Sequence, residues 1–567
     1  MAWYFFLRWS VLILIGLLIY GQTFHFDFVF DDHLFIVTNP FIKSFSHVHL
    51  MWQSFPMTRL VGMYSFAFNY YVGGLNPQGY HIFNFIVHLG ATGLVWALAG
   101  LIFKITQHLP AENRLVRQLP FMIAVLFLVH PCQTQAVTYI SQRFESMATV
   151  FYLGTVYCYL RGRMSEDRTN KIRLFCLAGL LTVGGMMTKE TVITIPLMIL
   201  AAEWILFPKK DKKLFYVIVV CATAVLYVLF TKMGQVGISG VFRSIPSESH
   251  DGEILTPVRY VLTQMRVFLT FLRLLVLPVH QNLDYDYPAS MGLLHPPLTL
   301  VGSVMIGAMM VLIVKLRRRF GLIAFGLAWM LITFSVNLAP RANVIFEHKL
   351  YLISFGFLLA AVGALAIPKR GHQVLMGALW CLVAMLAVVS FQRNGVWKNE
   401  VTLWEDGIKR SPNKARVNAS LGRVYGSDGK YDKAVYYLSR AIKIRPDNIS
   451  YEDRGIIYAK QGDNEKALED LNRSIAMDPN YFSTYVKRSW VFQTQHNYPA
   501  ALTDLHRAIQ LEPYQTDAYI ERGMLWVQLG RFEEALGDFQ LALRIDPLNP
   551  YVAGYKSYCL AKLKGNY

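Results

Sequence analysis

The sequence predicts an all-α protein in two parts, a polytopic membrane helical bundle followed by a C-terminal solenoid of stacked helix pairs. Two observations carry this. From Phe5 to about Gln392 apolar runs of span length recur between short basic clusters, and from about Trp397 onward charge density rises and the runs stop. In that second part proline, alanine and glycine return every 33 or 34 residues, the length of one helix pair. At 567 residues, 54% hydrophobic and 16% charged, the chain is too apolar for one soluble domain and too long for any single domain. The expected division is a membrane domain over 1–392, a connector with a half-repeat over 393–412, and a repeat domain with a capping helix over 413–567.

The first apolar stretch, Trp9 to Tyr20 behind Arg8, reads as an uncleaved anchor because no small-residue cleavage site follows it. It exits near Gly21 and leaves 22–78 on the outer side. Further spans fall near 79–103, 119–135, 144–160, 173–188, 191–207, 214–231, 297–315, 320–338, 350–367 and 374–391. The stretch 257–279 interrupts the series, since a crossing there would carry Lys315 to Arg319 outside, against the positive-inside rule. Arg259, Arg266 and Arg273 recur every seven residues on one helix face, opposite Val261, Leu262, Phe268, Leu269 and Leu272. That pattern predicts an interfacial or re-entrant helix, either resting on headgroups or using Arg266 or Arg273 to hold a lipid phosphate. About eleven crossings result, with the repeats outside.

The net charge of +18 comes from Lys and Arg in short loops: Lys104, Arg114 and Arg117; Arg161 to Arg173; Lys209 to Lys213; Lys315 to Arg319; Lys369 and Arg370. Topology accounts for these clusters, and nucleic acid is not an expected partner. Five of the six cysteines lie in or beside spans, so no disulfide framework is implied.

In the second half the recurrences are Pro412, Pro446, Pro479, Pro513 and Pro547; Ala434, Ala467, Ala501 and Ala535; and Gly422, Gly455 and Gly523 in a slot that Ser489 also fills. With Lys430-Tyr-Asp-Lys-Ala434 and Arg531-Phe-Glu-Glu-Ala535 they match the tetratricopeptide pattern. Four repeats run over 413–549, preceded by a half-repeat at 397–411 and followed by a capping helix at 551–563. The concave face of such a solenoid suits a peptide, although spacing alone is the other reading. Glu469, Asp470, Asp504, His506 and Asp538 read as solvated helix residues.

The chemistry points to the outer ends of the spans. Asp31 and Asp32 stand side by side just beyond the first span, where ionised groups near lipid usually bind, titrate or catalyse; a solvated turn is the plain alternative. His81, Asn84 and His88 share one face of the second span, so they face protein or a cavity. Hydrogen bonding between helices explains that stripe better than a metal, for which a third ligand is lacking. His130, Arg143 with Glu145, and Lys189 with Glu190 also lie at outer ends, and together these groups predict a polar chamber at the outer leaflet. Asp284-Tyr-Asp286 has the form of the short Asp-x-Asp element of nucleotide-sugar enzymes, but it would face away from cytoplasmic donors.

Several blocks in order resemble the transmembrane and tetratricopeptide-containing protein O-mannosyltransferases. They are Asp31-Asp32 with Asn39-Pro40, Arg59-Leu60, the run Asn69 to Asn84 with His88, Leu128-Val-His-Pro131 to Arg143-Phe-Glu145, Met187-Thr-Lys-Glu-Thr191, Leu277-Pro to Asp284-Tyr, and Glu347-His-Lys-Leu-Tyr-Leu352. The resemblance covers nearly the whole chain. It implies a membrane glycosyltransferase of the GT-C class that moves a sugar from a polyprenyl phosphate to a protein hydroxyl on the outer or lumenal side. It implies Asp31 as general base and Asp32 orienting the acceptor or a divalent cation, with the order of the two open. Arg59, Arg143, Lys189, Arg266 and Arg341 are then candidates for the lipid phosphate, and His81, Asn84, His88, His130, Glu145, Glu190, Glu347 and His348 line the site. The chain departs from the family at Leu60, where proline is usual, and at His348, where arginine is usual. A bacterial inner membrane with periplasmic repeats is the expected location, an endoplasmic reticulum with lumenal repeats the alternative, since Asn418, Asn448 and Asn472 stand in sequons.

Overall fold

A computed structural model describes residues 2–43, 57–106, 116–207, 255–340, 343–365, 367, 372–546 and 549–565. The expected span at 214–231, the Lys209 to Lys213 cluster, Arg114, Lys369, Arg370, Pro547 and the candidate Arg341 lie outside the described residues. All regular structure among the described residues is helical. The chain divides into two compact units, Met1–Asp406 and Gly407–Tyr567.

In the first unit six described helices are long and apolar enough to cross a membrane: Trp3–His25, Pro77–Thr106, Leu298–Leu316, Gly321–Leu338, Glu347–Leu365 and Gln373–Trp397. A seventh is a broken one, Leu119–Val129 and Pro131–Val137, bent by 55° where Pro131 withholds an amide from the helix ladder. Among the described residues this gives six or seven of the expected eleven crossings, the one at 214–231 lying outside them. Arg143–Met164 and Arg168–Met186 are helices but carry too many polar residues to qualify alone, and Ile195–Leu206 has only 12 residues. They are nonetheless woven into the bundle, with Tyr152, Leu153 and Val156 fully buried in the same core as Leu12, Val95, Phe127, Trp329 and Phe355. Outward, Leu18, Leu180 and Val374 are more than 70% exposed, an apolar surface suited to lipid.

The helix Pro257–Val276 is amphipathic and is not among the helices apolar enough to cross, but Arg266 is buried where Arg259 and Arg273 are half-buried, so the three do not share one exposed face. Thr256 caps it by accepting the Arg259 amide. Its inner face carries Tyr260, Val267, Phe268, Phe271 and Leu274. The helix Leu298–Leu316 crosses it so closely that a Cβ at Gly302 would strike the Met265 carbonyl.

The second unit is four helix pairs and a final helix: Ala415–Ser427 with Tyr431–Ile444, Asn448–Lys460 with Asn464–Met477, Phe482–Thr494 with Tyr498–Leu511, Thr516–Gln528 with Phe532–Ile545, and then Pro550–Leu563. Ala434, Ala467, Ala501 and Ala535, all fully buried, let the paired helices approach. The turn inside each pair needs a left-handed residue, supplied by Gly429, Gly462 and Gly530 at φ +74°, +86° and +74° and, in the third pair, by His496 at +59°. Asp470, Asp504 and Asp538 are not solvated as expected. Each is buried and takes a two-pronged bond from an arginine one helix earlier, Arg454, Arg488 and Arg522, at 2.7–2.9 Å. Glu469 is exposed, bonded to Arg473, and His506 is exposed as well. Asn418, offered as a sequon, is fully buried with its amide given to the Pro412 and Lys414 carbonyls.

Candidate functional site

The acid pair starts a short helical segment that turns back from the first span. Phe30, immediately before it, has φ +52°, a conformation unusual for an aromatic residue, and this turn sends the two neighbouring carboxyls into different surroundings. Asp32 is fully buried. One of its oxygens accepts the Ser141 amide at 2.7 Å and the Ser141 hydroxyl, and the other accepts the Val29 amide at 3.1 Å. Burial pushes its pKa up to about 7, opposed by these three donors. Asp31 is half-buried, and the Tyr139 hydroxyl takes its amide at 3.0 Å and bonds its carboxyl. Burial, reinforced by both carboxylates, holds the Tyr139 hydroxyl well above its ordinary value, so it serves as a donor. The arrangement leaves one carboxyl reachable and one locked.

Three stretches far apart in sequence hold this loop. The end of the first span contributes Ile19 and Gln22, the segment after the broken helix contributes Thr138 to Ser141, and the end of the last span contributes Phe391 to Trp404. Asn394 ties all three, accepting from the Thr138 hydroxyl at 2.7 Å and donating to the Ile19 carbonyl at 3.0 Å, while Gln22 donates to the Phe391 carbonyl at 2.7 Å. Residues 397–406, expected in the connector and half-repeat, thus belong to the membrane unit.

The candidate phosphate ligands separate by what their donors already do. Arg143 is fully buried and spent. It donates to Asn84 Oδ1 at 2.6 Å, to the Ser65 carbonyl and hydroxyl at 3.2 Å and to the Tyr80 carbonyl at 2.9 Å, with Phe66 and Phe83 against its guanidinium. It braces helices, and its donors are already taken by these partners. Lys189 is buried against Glu145 at 2.9 Å and reaches Gln142 at 3.3 Å. Arg266 donates to the Pro288 carbonyl at 3.1 Å and the Ser290 hydroxyl at 3.4 Å beneath Tyr287, and Arg273 to the Val279 carbonyl at 2.9 Å. Arg59 differs: it is half-buried over the Phe144 ring at 4.7 Å and makes no hydrogen bond or ion pair with a described residue. It lies close enough to Lys189 to repel it, while Glu190, half-buried, attracts Lys189.

The histidine stripe packs protein against protein, as its spacing predicts. His88 meets Tyr351 at 2.6 Å and the Leu128 carbonyl at 3.3 Å, Asn84 donates to the Val137 carbonyl at 3.0 Å, and His81 is buried edge-on to Phe26. His130 is likewise used, bonding the Leu275 carbonyl at 3.0 Å and the Cys132 amide at 3.2 Å. Glu347 is fully buried and organises the stretch before Asp284, accepting Gln281 at 2.9 Å, the Asn282 amide at 2.6 Å and the Tyr285 hydroxyl. His348 stacks on Phe346, and its amide meets Gln135 at 2.6 Å. Among the described residues no three His, Cys, Asp or Glu side chains gather as a metal site. With three donors already on Asp32, the pair offers a divalent cation little beyond Asp31, so the residues do not fit a resident metal. Sequence reasoning did not single out Tyr139, Ser141, Glu400 or Trp404; the first two lie within the block from Leu128 to Glu145, and the role of all four arises only where distant segments meet.

Comparison with known proteins places the tetratricopeptide repeat family at residues 415–448, 449–481 and 488–554. Over 472 residues the chain is 26% identical to the protein O-mannosyl-transferase F38B6.6 of Caenorhabditis elegans, covering 78% of this chain and 63% of that one. Over 526 residues it is 23% identical to the protein O-mannosyl-transferase TMTC3 of Homo sapiens, covering 81% and 54%. The chain thus spans between half and two thirds of the length of these curated relatives. The crystal structure of MamA is similar at 22% identity and a TM-score of 0.23, covering 26% of this chain and 86% of that one.

Proposed function

Because this chain carries tetratricopeptide repeats and its curated homologues are protein O-mannosyl-transferases, we propose that it is a membrane glycosyltransferase that moves mannose from a polyprenyl phosphate to Ser or Thr hydroxyls of a protein, on the non-cytoplasmic face. The observation that carries the chemistry is the unequal acid pair. A Ser or Thr hydroxyl is a weak nucleophile until a carboxylate within hydrogen-bond reach accepts its proton. Asp31, half-buried with Tyr139 as its fixed partner, is the reachable acceptor; Asp32, bonded to Val29 and Ser141, fixes the turn that presents it.

In the step proposed, the hydroxyl oxygen bonds to the anomeric carbon as its proton passes to Asp31, and the bond from that carbon to the phosphate oxygen breaks. Configuration inverts, and the polyprenyl phosphate leaves with the electron pair. Arg59, the candidate cation whose donors are unspent among the described residues, meets the charge left on that phosphate. The repeats gather the acceptor. Their first helices form a groove of about 410 Å³ lined by Ile456, Lys460, Lys487, Trp490, Asp517 and Glu521, with charges of both signs and an aromatic platform.

Transfer is tested with the full chain reconstituted in lipid, polyprenyl-phosphate sugars, secreted acceptor proteins and an intact-mass readout. Wild type should add hexose and Asp31→Asn should not. Acceptor binding without transfer from any donor would instead describe a non-enzymatic scaffold.

A further inference from the structure

The loop bearing the acid pair is held from a residue 370 positions away. Glu400 opens the helix Glu400–Arg410, and its Oε1 accepts the Phe30 amide at 2.5 Å. Its Oε2 accepts the Trp404 indole N–H at 2.8 Å, so both oxygens are committed and the carboxylate cannot swing away. His33, on the other side of the acid pair, lies 3.6 Å from Glu400 Oε1. The Phe30 ring stands edge-on to Trp404 at 5.3 Å, and Tyr139, the partner of Asp31, stacks on Trp397 at 5.1 Å with the rings 17° from parallel. Just upstream, the Asp27 amide donates to the Lys398 carbonyl at 3.1 Å. Among the described residues, Asp27, Phe30 and His33 meet 398–400, and Asp31 and Asp32 meet 139–141.

We propose that Glu400 is a positioning residue for the transferase reaction, a clamp that keeps Phe30 in its left-handed conformation and so separates the reachable Asp31 from the locked Asp32. The proposal rests on the reading of Asp31 as general base. A left-handed backbone at an aromatic residue does not persist unless its surroundings impose it. Here the imposing groups are one carboxylate on the Phe30 amide and one indole against its ring. Without the carboxylate, Phe30 relaxes toward an ordinary conformation, and Asp31, next in the chain, turns with it. A base displaced by about 1 Å can lose on the order of 100-fold in rate while the ground-state complex still forms.

The experiment uses the full chain in lipid nanodiscs with polyprenyl-phosphate mannose and a Ser/Thr-rich peptide. Glu400→Ala should lower kcat by about 100-fold with KM for the donor within about 2-fold of wild type. Glu400→Gln keeps an oxygen for the Phe30 amide and should recover most of that loss. Hydrogen–deuterium exchange over residues 27–33 should quicken in Glu400→Ala and stay near wild type in Glu400→Gln. A wild-type kcat in Glu400→Ala, unchanged exchange, or equal damage from alanine and glutamine would overturn the clamp. If Glu400→Ala does not fold, Trp404→Phe, which frees Oε2 while keeping a ring beside Phe30, reads the same two quantities and must show a smaller shift in the same direction. If wild type transfers no sugar, the enzymatic reading fails on its own, and the exchange measurement still decides whether Glu400 holds the loop.

Discussion

Ser141 gives both its amide, at 2.7 Å, and its hydroxyl to the same oxygen of Asp32. Two donors from one residue suit an ionised carboxylate, yet complete burial opposes ionisation and prevails, raising the group from 3.8 to about 7. Folding therefore favours the protonated acid. Between about pH 4 and 7 the native state binds more protons than the unfolded chain, so the contribution is fully present below the ordinary carboxylate range and is lost as pH rises through about 7. The gap corresponds to about 4 kcal/mol. Asp32→Asn should flatten the fall of stability over that window, measured as the thermal midpoint at several pH values. Parallel curves for variant and wild type would mean that Asp32 does not titrate there.

Arg59 and Arg143 look alike in a motif and should behave oppositely. Arg143→Lys cannot reproduce the fork that meets Asn84, Ser65 and Tyr80, and leaving those buried groups unmet should cost about 3 kcal/mol. Its damage should appear in folded yield. Arg59→Ala, at a half-buried site with no described polar partner, should leave the thermal midpoint near wild type and raise the KM for the lipid donor. An Arg59 variant with unchanged donor KM would remove it from the phosphate site.

The parts of the fold that repeat were legible, and those that depend on meeting were not. Apolar length revealed the spans that pass the same physical test in three dimensions, and the 33- or 34-residue period revealed every helix pair. The spacing of Arg259, Arg266 and Arg273 gave the amphipathic helix. The broken helix at Pro131 looked like one span because the mostly apolar stretch read at 119–135 does not say where it bends. Asp31 came first as the base with its order relative to Asp32 left open, since the left-handed turn at Phe30 that divides them is held by Glu400 and Trp404. Arg143 read as a ligand because a sequence shows that a charge exists but not whether its donors are already used.

The arginine–aspartate pairs were missed for the same reason, and they make a test. Arg488 and Asp504 are bonded by two contacts of 2.8 Å, and Asp504 is 4% exposed. Arg488→Leu leaves that carboxylate without its cation and should cost about 3–5 kcal/mol. The first repeat shows the alternative: Leu421 and Tyr437 occupy the slots of Arg454 and Asp470, and Leu421 is fully buried. Arg488→Leu with Asp504→Tyr copies that solution and should recover most of the loss. Exchange protection across the third repeat checks both variants, and a double variant as weak as the single one would show that the two solutions are not interchangeable.

His496 occupies the slot that glycine fills in the other three repeats. Its φ of +59° is a conformation that costs an L-residue with a side chain about 1–2 kcal/mol. Its ring meets the Tyr498 hydroxyl at 3.0 Å, but both groups are exposed or half-buried, where such a bond contributes little. Glycine would remove the strain and lose more chain entropy on folding, about 0.5–1 kcal/mol, which offsets part of the gain. His496→Gly should therefore stabilise the third repeat modestly, by about 0.5–1 kcal/mol, read as slower amide exchange on both helices flanking the turn. Faster exchange would assign the greater weight to the bond with Tyr498, and His496→Asn, which tolerates the same φ while shortening the side chain, would then separate strain from the lost contact.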